Sequence, residues 1–93
     1  MKAAYTSRAL AELQSAYSWY EQRQEGLGDA FLDELDAAIE RIEANPNQYP
    51  RVRSAFRRCL TKRFPFSLIF TAEREQIVIH AVFDTRRDLD KLP

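Results

Sequence analysis

Residues 66–83 read FSLIFTAEREQIVIHAVF, and this stretch decides the fold. It contains two runs rich in branched and aromatic residues, 66–71 and 76–83, which are separated by a polar turn over residues 72–75. A similar run over residues 56–64 precedes them, and Phe64-Pro65 makes the link. The three runs predict a meander of three strands. Residues 77–83 are apolar at nearly every position, which is typical of a central strand covered on both faces.

Two helices are predicted upstream of the meander. Thr6 or Ser7 is a suitable N-cap for the first, whose apolar residues recur at helical spacing up to about Gln24: Leu10, Leu13, Tyr17 and Tyr20. Gly26 suits the left-handed residue that follows a helix end, and Asn45-Pro46 ends the second helix. That helix has an apolar stripe (Phe31, Leu35, Ala38, Ile39, Ile42) opposite an acidic face (Asp33, Glu34, Asp36, Glu40, Glu43).

The predicted element order is β-α-α-β-β-β, because residues 3–6 form a short apolar segment before the first helix cap. This order is typical of a two-layer α/β fold, with a helical hairpin packed on a four-stranded, mainly antiparallel sheet. If the hairpin returns the chain to its starting end, the first strand lies antiparallel beside the last. At 93 residues we expect one domain, over residues 1–93.

The composition bounds the class of protein. Cys59 is the only cysteine, so the chain has no internal disulfide and no sign of a secreted scaffold. No apolar run approaches the ~20 residues of a membrane span, and residues 1–5 lack the apolar core of a signal peptide. We therefore expect a cytoplasmic protein without a membrane partner. One histidine, one cysteine and scattered carboxylates form no ligand set, so neither a metal nor a cofactor is expected.

Charge is distributed unevenly although the formal net charge is +0. Residues 1–50 hold four basic and nine acidic side chains, net −5, whereas residues 51–93 hold ten basic and five acidic ones, net +5. The basic excess includes six candidate binding residues: Arg57, Arg58, Lys62, Arg63, Arg86 and Arg87. Two interpretations stay open, since the halves either complement each other in the fold or the second half binds an anionic partner.

Several short motifs follow one another along nearly the whole chain. They are Trp19-Tyr20-Glu21, Gly26-Leu27-Gly28 with Phe31, Asn45-Pro46, Tyr49-Pro50, Arg57-Arg58, Arg63-Phe64-Pro65-Phe66, and Ala81-Val82-Phe83 with Arg86-Arg87-Asp88. In this order and spacing the chain resembles the RelE/ParE toxins of type II toxin–antitoxin modules, and among them the ParE-like plasmid-stabilisation branch. The resemblance implies a RelE-like fold and a bacterial growth-inhibiting toxin, which a cognate antitoxin neutralises by wrapping a helix and an extended tail around it.

The resemblance leaves three functions open. ParE-like members inhibit DNA gyrase and do not cut RNA. RelE-like members are ribosome-dependent endoribonucleases that cut messenger RNA, and a degenerate module would keep only antitoxin binding. The residues favour the gyrase-binding toxin, which is not an enzyme, because the acid–base groups that a nuclease needs are not evident.

RNA cleavage requires a base, an acid and cations that hold the phosphate. His80 is the only histidine, and strand alternation places it with Val78 and Val82, which predicts a hydrogen-bonded sheet residue rather than a base. Asp84 stands where many relatives carry a histidine, and residues 88–93 lack the tyrosine or histidine that nuclease members place near the C-terminus. His80 and Asp84 are the remaining catalytic candidates.

The basic residues after Tyr49 are the expected surface for the antitoxin or the target. In one continuous strand, Arg57 and Arg63 point to one face and Arg58 and Lys62 to the other. The strand over residues 56–64 is the expected free edge of the sheet, where an acidic extended tail could add backbone hydrogen bonds. We therefore predict that the antitoxin binds this basic strand rather than the acidic face of the second helix.

Overall fold

The computed structural model of the protein describes residues 2–86. The elements in chain order are β1 Lys2–Tyr5, α1 Ser7–Arg23, α2 Leu27–Ala44, a 3-10 turn Pro46–Gln48, β2 Arg51–Arg53, β3 Phe56–Leu60, β4 Phe66–Glu73 and β5 Gln76–Asp84. The two helices pack against each other and on a five-stranded mixed sheet with the strand order β1-β5-β4-β3-β2. The two-layer α/β class is therefore confirmed, although the sheet has five strands and not four.

The predicted number of strands and the predicted antiparallel pairing of the first strand with the last are both wrong, because β2 was not predicted. β2 is an exposed three-residue strand that forms a hairpin with β3, and Ser54 makes the turn with φ 51°. Each antiparallel step reverses the chain, so one additional strand reverses the direction of every strand after it. β1 consequently pairs with β5 in parallel, with Ala3 opposite Ile77 and Tyr5 opposite Ile79.

The core lies between the helices and one face of the sheet. α2 contributes the predicted stripe, of which Phe31, Leu35, Ala38 and Ile42 are buried. Four aromatic rings meet at one end of the core. The distance between ring centroids is 4.8 Å for Tyr20–Phe64, 5.0 Å for Phe31–Phe66 and 5.2 Å for Tyr20–Phe31. Aromatic pairs at these separations contribute beyond the apolar area that they bury.

The buried stripe of α1 differs from the predicted one. Ala9 and Tyr20 are buried and Leu13 and Ala16 pack against the core, whereas Leu10 is 44% exposed. Tyr17 is only half-buried and donates its hydroxyl hydrogen bond to Asp29 of α2 at 3.3 Å. Ala9 and Ala16 thus contact the core where the larger Leu10 was expected.

A bulge in β5 moves the side chains of its second half to the sheet faces opposite to the predicted ones. Phe70 is opposite Ile79 and Ile69 is opposite Ala81, so His80 is an extra residue on β5. Val82 therefore joins the core below the helices, while His80 and Ala81 both point to the other face of the sheet. The predicted alternation, which grouped Val82 with His80, is wrong beyond this point.

Candidate functional site

Glu21 and Asp29 accept hydrogen bonds from polar groups within the helical hairpin. Glu21 accepts hydrogen bonds from the backbone N–H groups of Gly26, at 3.0 Å, and Gly28, at 2.9 Å, at the start of α2. The Asp29 carboxylate, which accepts the Tyr17 hydroxyl, raises the pKa of Tyr17. A Cβ atom on Gly28 would lie 2.8 Å from the Tyr17 ring and 2.9 Å from Glu21 Oε1. These motif residues therefore hold the turn between the helices.

Lys62 and Arg63 lie in the loop after β3, because the strand ends at Leu60. Glu34 of α2 accepts the backbone N–H groups of both residues, that of Arg63 at 2.6 Å. The Arg63 guanidinium lies 5.2 Å from the centroid of the Phe64 ring. The prediction that these two side chains continue the alternation of Arg57 and Arg58 is wrong, since the strand is shorter than expected.

Arg57 and Arg58 point to opposite faces of β3, as predicted. Arg57 donates from Nη1 to the backbone oxygen of Tyr49 at 2.6 Å, so it fastens the segment before β2 to the sheet. Arg58 lies opposite Ile69 on the face away from the helices. Within residues 2–86, its Nε is buried and has no hydrogen-bond partner.

The last predicted cations follow β5, which β4 separates from β3 in the sheet. Arg86 makes a two-point ion pair with Asp84, at 2.9 Å and 2.6 Å, and this hydrogen bonding raises the pKa of Arg86. Arg87 lies outside the described residues. The structure therefore does not bring the five described cations together in one cleft, and the catalytic candidate Asp84 is bound to Arg86.

His80 occupies a polar cluster on the sheet face away from the helices. Its Nε2 lies 2.8 Å from the Thr71 hydroxyl, which donates to Glu73 at 3.0 Å. Since the hydroxyl proton is directed to Glu73, Nε2 carries the proton in the His80–Thr71 bond. The Phe56 ring packs edge-on against the imidazole, with centroids 5.0 Å apart. His80 is thus a hydrogen-bonded sheet residue, as predicted.

The strand β2 forms one edge of the sheet, in place of the predicted edge strand over residues 56–64. Arg51 and Arg53 are exposed on it, and Val52 between them is 37% exposed. Arginine on an edge strand opposes pairing between identical sheets, because the charges repel. Two basic residues that the sequence reasoning did not select therefore lie on the most basic exposed strand.

A groove between α1 and β5 was also missed. It has a volume of about 550 Å3 and is lined by small and aromatic residues together with Glu12, Asp84 and Arg86. Trp19, at 47% exposure, forms part of its wall, packs edge-on against Tyr20 at 5.1 Å and carries the Arg23 guanidinium 4.2 Å from its ring centroid. A tryptophan outside the apolar stripe of its helix was the sequence signal for this surface.

Residues 2–86 contain neither a candidate metal site nor a helix that could span a membrane. This part of the chain contains no group of three or more histidine, cysteine or acidic residues that could hold a metal ion. None of its helices combines the length and the apolar character needed to span a membrane. Cys59 is buried in the core, and burial raises the pKa of its thiol, which disfavours the reactive thiolate.

Comparisons with known proteins agree with this architecture. No curated protein matches the chain with significant similarity. A solved structure of the chromosomal ParDE TA system from P. aeruginosa superposes with a TM-score of 0.79 at 20% sequence identity, and the match covers 90% of this chain and 95% of that one. The model of the family described as "ParE toxin of type II toxin-antitoxin system, parDE" matches residues 3–89. This match covers nearly the whole chain, and the protein therefore belongs to the ParE toxin family.

Proposed function

We propose that the protein is a toxin that arrests bacterial growth by binding DNA gyrase, and that a cognate antitoxin neutralises it in the cytoplasm. The observation that carries the proposal is the match of the ParE toxin family over residues 3–89. The family is defined by a toxin–antitoxin pair, which supports an antitoxin as partner. The gyrase target extends what the resemblance to ParE-like members implies.

The geometry of the charged residues supports binding rather than catalysis. Arg57 is bound to a backbone oxygen and Arg86 to Asp84, so neither guanidinium is positioned with the other around one phosphate. His80 and Asp84 belong to separate hydrogen-bonded clusters. A general acid–base pair has to reach the same reacting group, and these two residues are each committed to a different neighbour.

Expression of the toxin without its antitoxin tests the proposal. We expect growth arrest and DNA-damage signalling while bulk messenger RNA stays intact. Purified toxin at micromolar concentration should inhibit supercoiling by gyrase, and addition of the purified product of the neighbouring short reading frame should reverse the inhibition. If supercoiling is untouched, gyrase is not the target. If growth is also unaffected, the chain is a non-toxic antitoxin-binding module.

One observation favours the endoribonuclease as a second candidate. The Thr71 hydroxyl donates to Glu73 and lies 2.8 Å from His80 Nε2, so the tautomer that donates from Nε2 completes this chain and has Nδ1 as its acceptor. Such a base could take the proton of a 2′-hydroxyl while the O2′–P bond forms and the P–O5′ bond breaks, with the departing O5′ taking a proton from water. Arg58 on the same sheet face, rather than Arg57 or Arg86, would then contact the phosphate.

Primer extension on messenger RNA after induction separates the two candidates. Cuts in codon register that vanish in His80→Gln and persist in a matched Glu75→Gln variant would establish the nuclease. We expect no such cuts. The unchanged growth arrest of His80→Gln would then agree with a toxin that acts by binding.

A further inference from the structure

The sheet face away from the helices, here called the outer face, is buried at one end, although no helix or strand among residues 2–86 covers it. Ser67 and Ile69 of β4 and Ala81 and Phe83 of β5 point to this face, and all four are buried. Phe83 is only 3% exposed, yet it does not belong to the core below the helices. A sheet face that is left to solvent carries polar residues, so apolar residues buried to this extent require a covering layer.

The described neighbours of these residues do not supply the layer. The loop after β3 is held on the helical side of the sheet, because Glu34 of α2 accepts the backbone N–H groups of Lys62 and Arg63. Leu60, which lies opposite Ser67 on the outer face, is 53% exposed. The cover therefore extends over β5 and β4 and ends before β3 at this level of the sheet.

Arg58 adds a polar requirement on the same face. It lies opposite Ile69, which lies opposite Ala81, so the three side chains form one row across the sheet. Arg58 Nε is buried and has no hydrogen-bond partner within residues 2–86. A buried donor without an acceptor is costly, and a carboxylate is a strong acceptor for a guanidinium group. The covering layer should therefore combine apolar side chains with a carboxylate.

The end of the chain has the position, the length and the composition that this layer needs. Asp84 accepts the backbone N–H of Arg86 at 2.9 Å, so the chain turns directly after β5, beside Phe83. Seven residues follow, with the sequence RDLDKLP. They can extend over about 25 Å. The row of Arg58 lies about 17 Å back along β5 and about 10 Å across the sheet, which is within their reach.

The groove between α1 and β5 is the other surface close to Arg86. Trp19 in its wall is half-exposed, whereas Phe83 on the outer face is buried. The groove is thus open, and the outer face is the surface that is closed. Of the two surfaces within reach of residues 87–93, only the outer face has the burial that a bound segment would produce.

We propose that residues 87–93, the tail, lie across the outer face and close it to anionic ligands. Leu89 and Leu92 cover the apolar residues of β4 and β5, and the carboxylate of Asp90 binds the Arg58 guanidinium. The inference goes beyond the proposed function and does not depend on it. His80 and Arg58 share this face, so the tail withholds from RNA the residues that a nuclease would use.

Thiol labelling of the full chain tests the position of the tail. Ser67→Cys places a thiol under the proposed cover with little change in volume, and Leu60→Cys places one on the open part of the same face as a matched control. In Ser67→Cys we expect labelling at least about tenfold faster when the chain ends at Arg86, because a local cover is lost. Leu60→Cys should react rapidly in both chains, and Cys59, buried in the core, slowly in both.

Point variants of the tail keep the test valid if the shortened chain unfolds, which rapid labelling of Cys59 would reveal. Leu89→Ser combined with Leu92→Ser keeps the length and charge of the tail and should accelerate the labelling of Ser67→Cys, whereas Lys91→Ala should not. Equal rates for the double variant and the unaltered tail overturn the inference. Loss of protection on dilution of the full chain also overturns it, since a second copy would then cover the face.

Fluorescence anisotropy with an oligouridylate of about ten nucleotides tests the closure of the face. The chain that ends at Arg86 should bind it about tenfold more tightly than the full chain, because Arg58 becomes available to phosphate. Asp90→Asn should give a gain of about threefold, and Asp33→Asn, exposed on α2, should give none. An unchanged affinity of the shortened chain, or a gain that survives Arg58→Ala, overturns the inference. Inhibition of gyrase is measured separately, so either proposal can fail while the other stands.

Discussion

The turn of the helical hairpin and the basic hairpin β2–β3 both carry charged motif residues, but they use them differently. In the turn, Glu21 binds two backbone N–H groups and Tyr17 binds Asp29, so the polar groups satisfy one another. In β2–β3, Arg51 and Arg53 are exposed, whereas Arg57 is half-buried and donates to the backbone oxygen of Tyr49. A charged residue within a family motif can therefore stabilise the fold instead of forming an exposed binding surface, and its hydrogen-bond partners in the structure distinguish the two roles.

The largest effect is expected in the turn. Gly28→Ala should lower the free energy of unfolding by about 2 kcal/mol, because the new Cβ would overlap the Tyr17 ring and Glu21 Oε1 and break the Glu21 bonds. Gly26→Asn is the matched control: Gly26 has φ 86° with nothing within 4 Å of a Cβ, and asparagine tolerates this conformation. Urea denaturation measures both. Equal losses would show that backbone conformation, and not close packing, requires Gly28.

We expect an intermediate effect on the free energy of unfolding in the basic hairpin, and this effect should differ between two of its arginines. Arg57→Ala should lower the free energy of unfolding by about 1 to 2 kcal/mol, since it removes the bond to the Tyr49 oxygen. Arg51→Ala, at the position opposite it in β2, should stay within about 0.5 kcal/mol. Thermal denaturation of the two variants is sufficient. A destabilised Arg51→Ala would mean that β2 contributes to the fold and is not merely an exposed edge.

The parts of the fold that were predictable are those fixed by local chemistry. The Thr6 side chain caps α1 by accepting the N–H of Ala9 at 3.1 Å, and Gly26 has the left-handed conformation expected after a helix. The stripe of α2 has a strict helical period, so its buried residues follow from spacing alone. These features depend on neighbours within one or two turns of the chain.

The parts that failed depend on distant partners. The alternation in Arg51-Val52-Arg53 spans only three residues, fewer than the roughly four to eight that identify a strand from sequence, and all three side chains are exposed. The extra residue at His80 is defined only by its pairing with β4. The site was harder still, since the bonds of Glu12 to Val82 and Glu34 to Arg63 join residues 70 and 29 positions apart.

The smallest effect concerns the rate at which the antitoxin associates, and it tests whether the basic edge acts at a distance. Arg51→Glu combined with Arg53→Glu should slow association about three- to tenfold at low salt, because a charged edge steers an acidic partner before contact. The dissociation rate should change little, since exposed charges at the rim contribute more to encounter than to the bound state. Glu40→Lys, on the opposite acidic helix, should leave the association rate within about twofold. At 1 M salt, where the Debye length is about 3 Å, the difference between the variants should vanish.

Stopped-flow association at several salt concentrations gives all of these values. Two outcomes would contradict this expectation: slower association of the edge variant that persists at 1 M salt, or equal changes in the association rate for the edge variant and Glu40→Lys. Either outcome would mean that the basic hairpin does not attract the antitoxin and that its charge serves only to prevent pairing of identical edges.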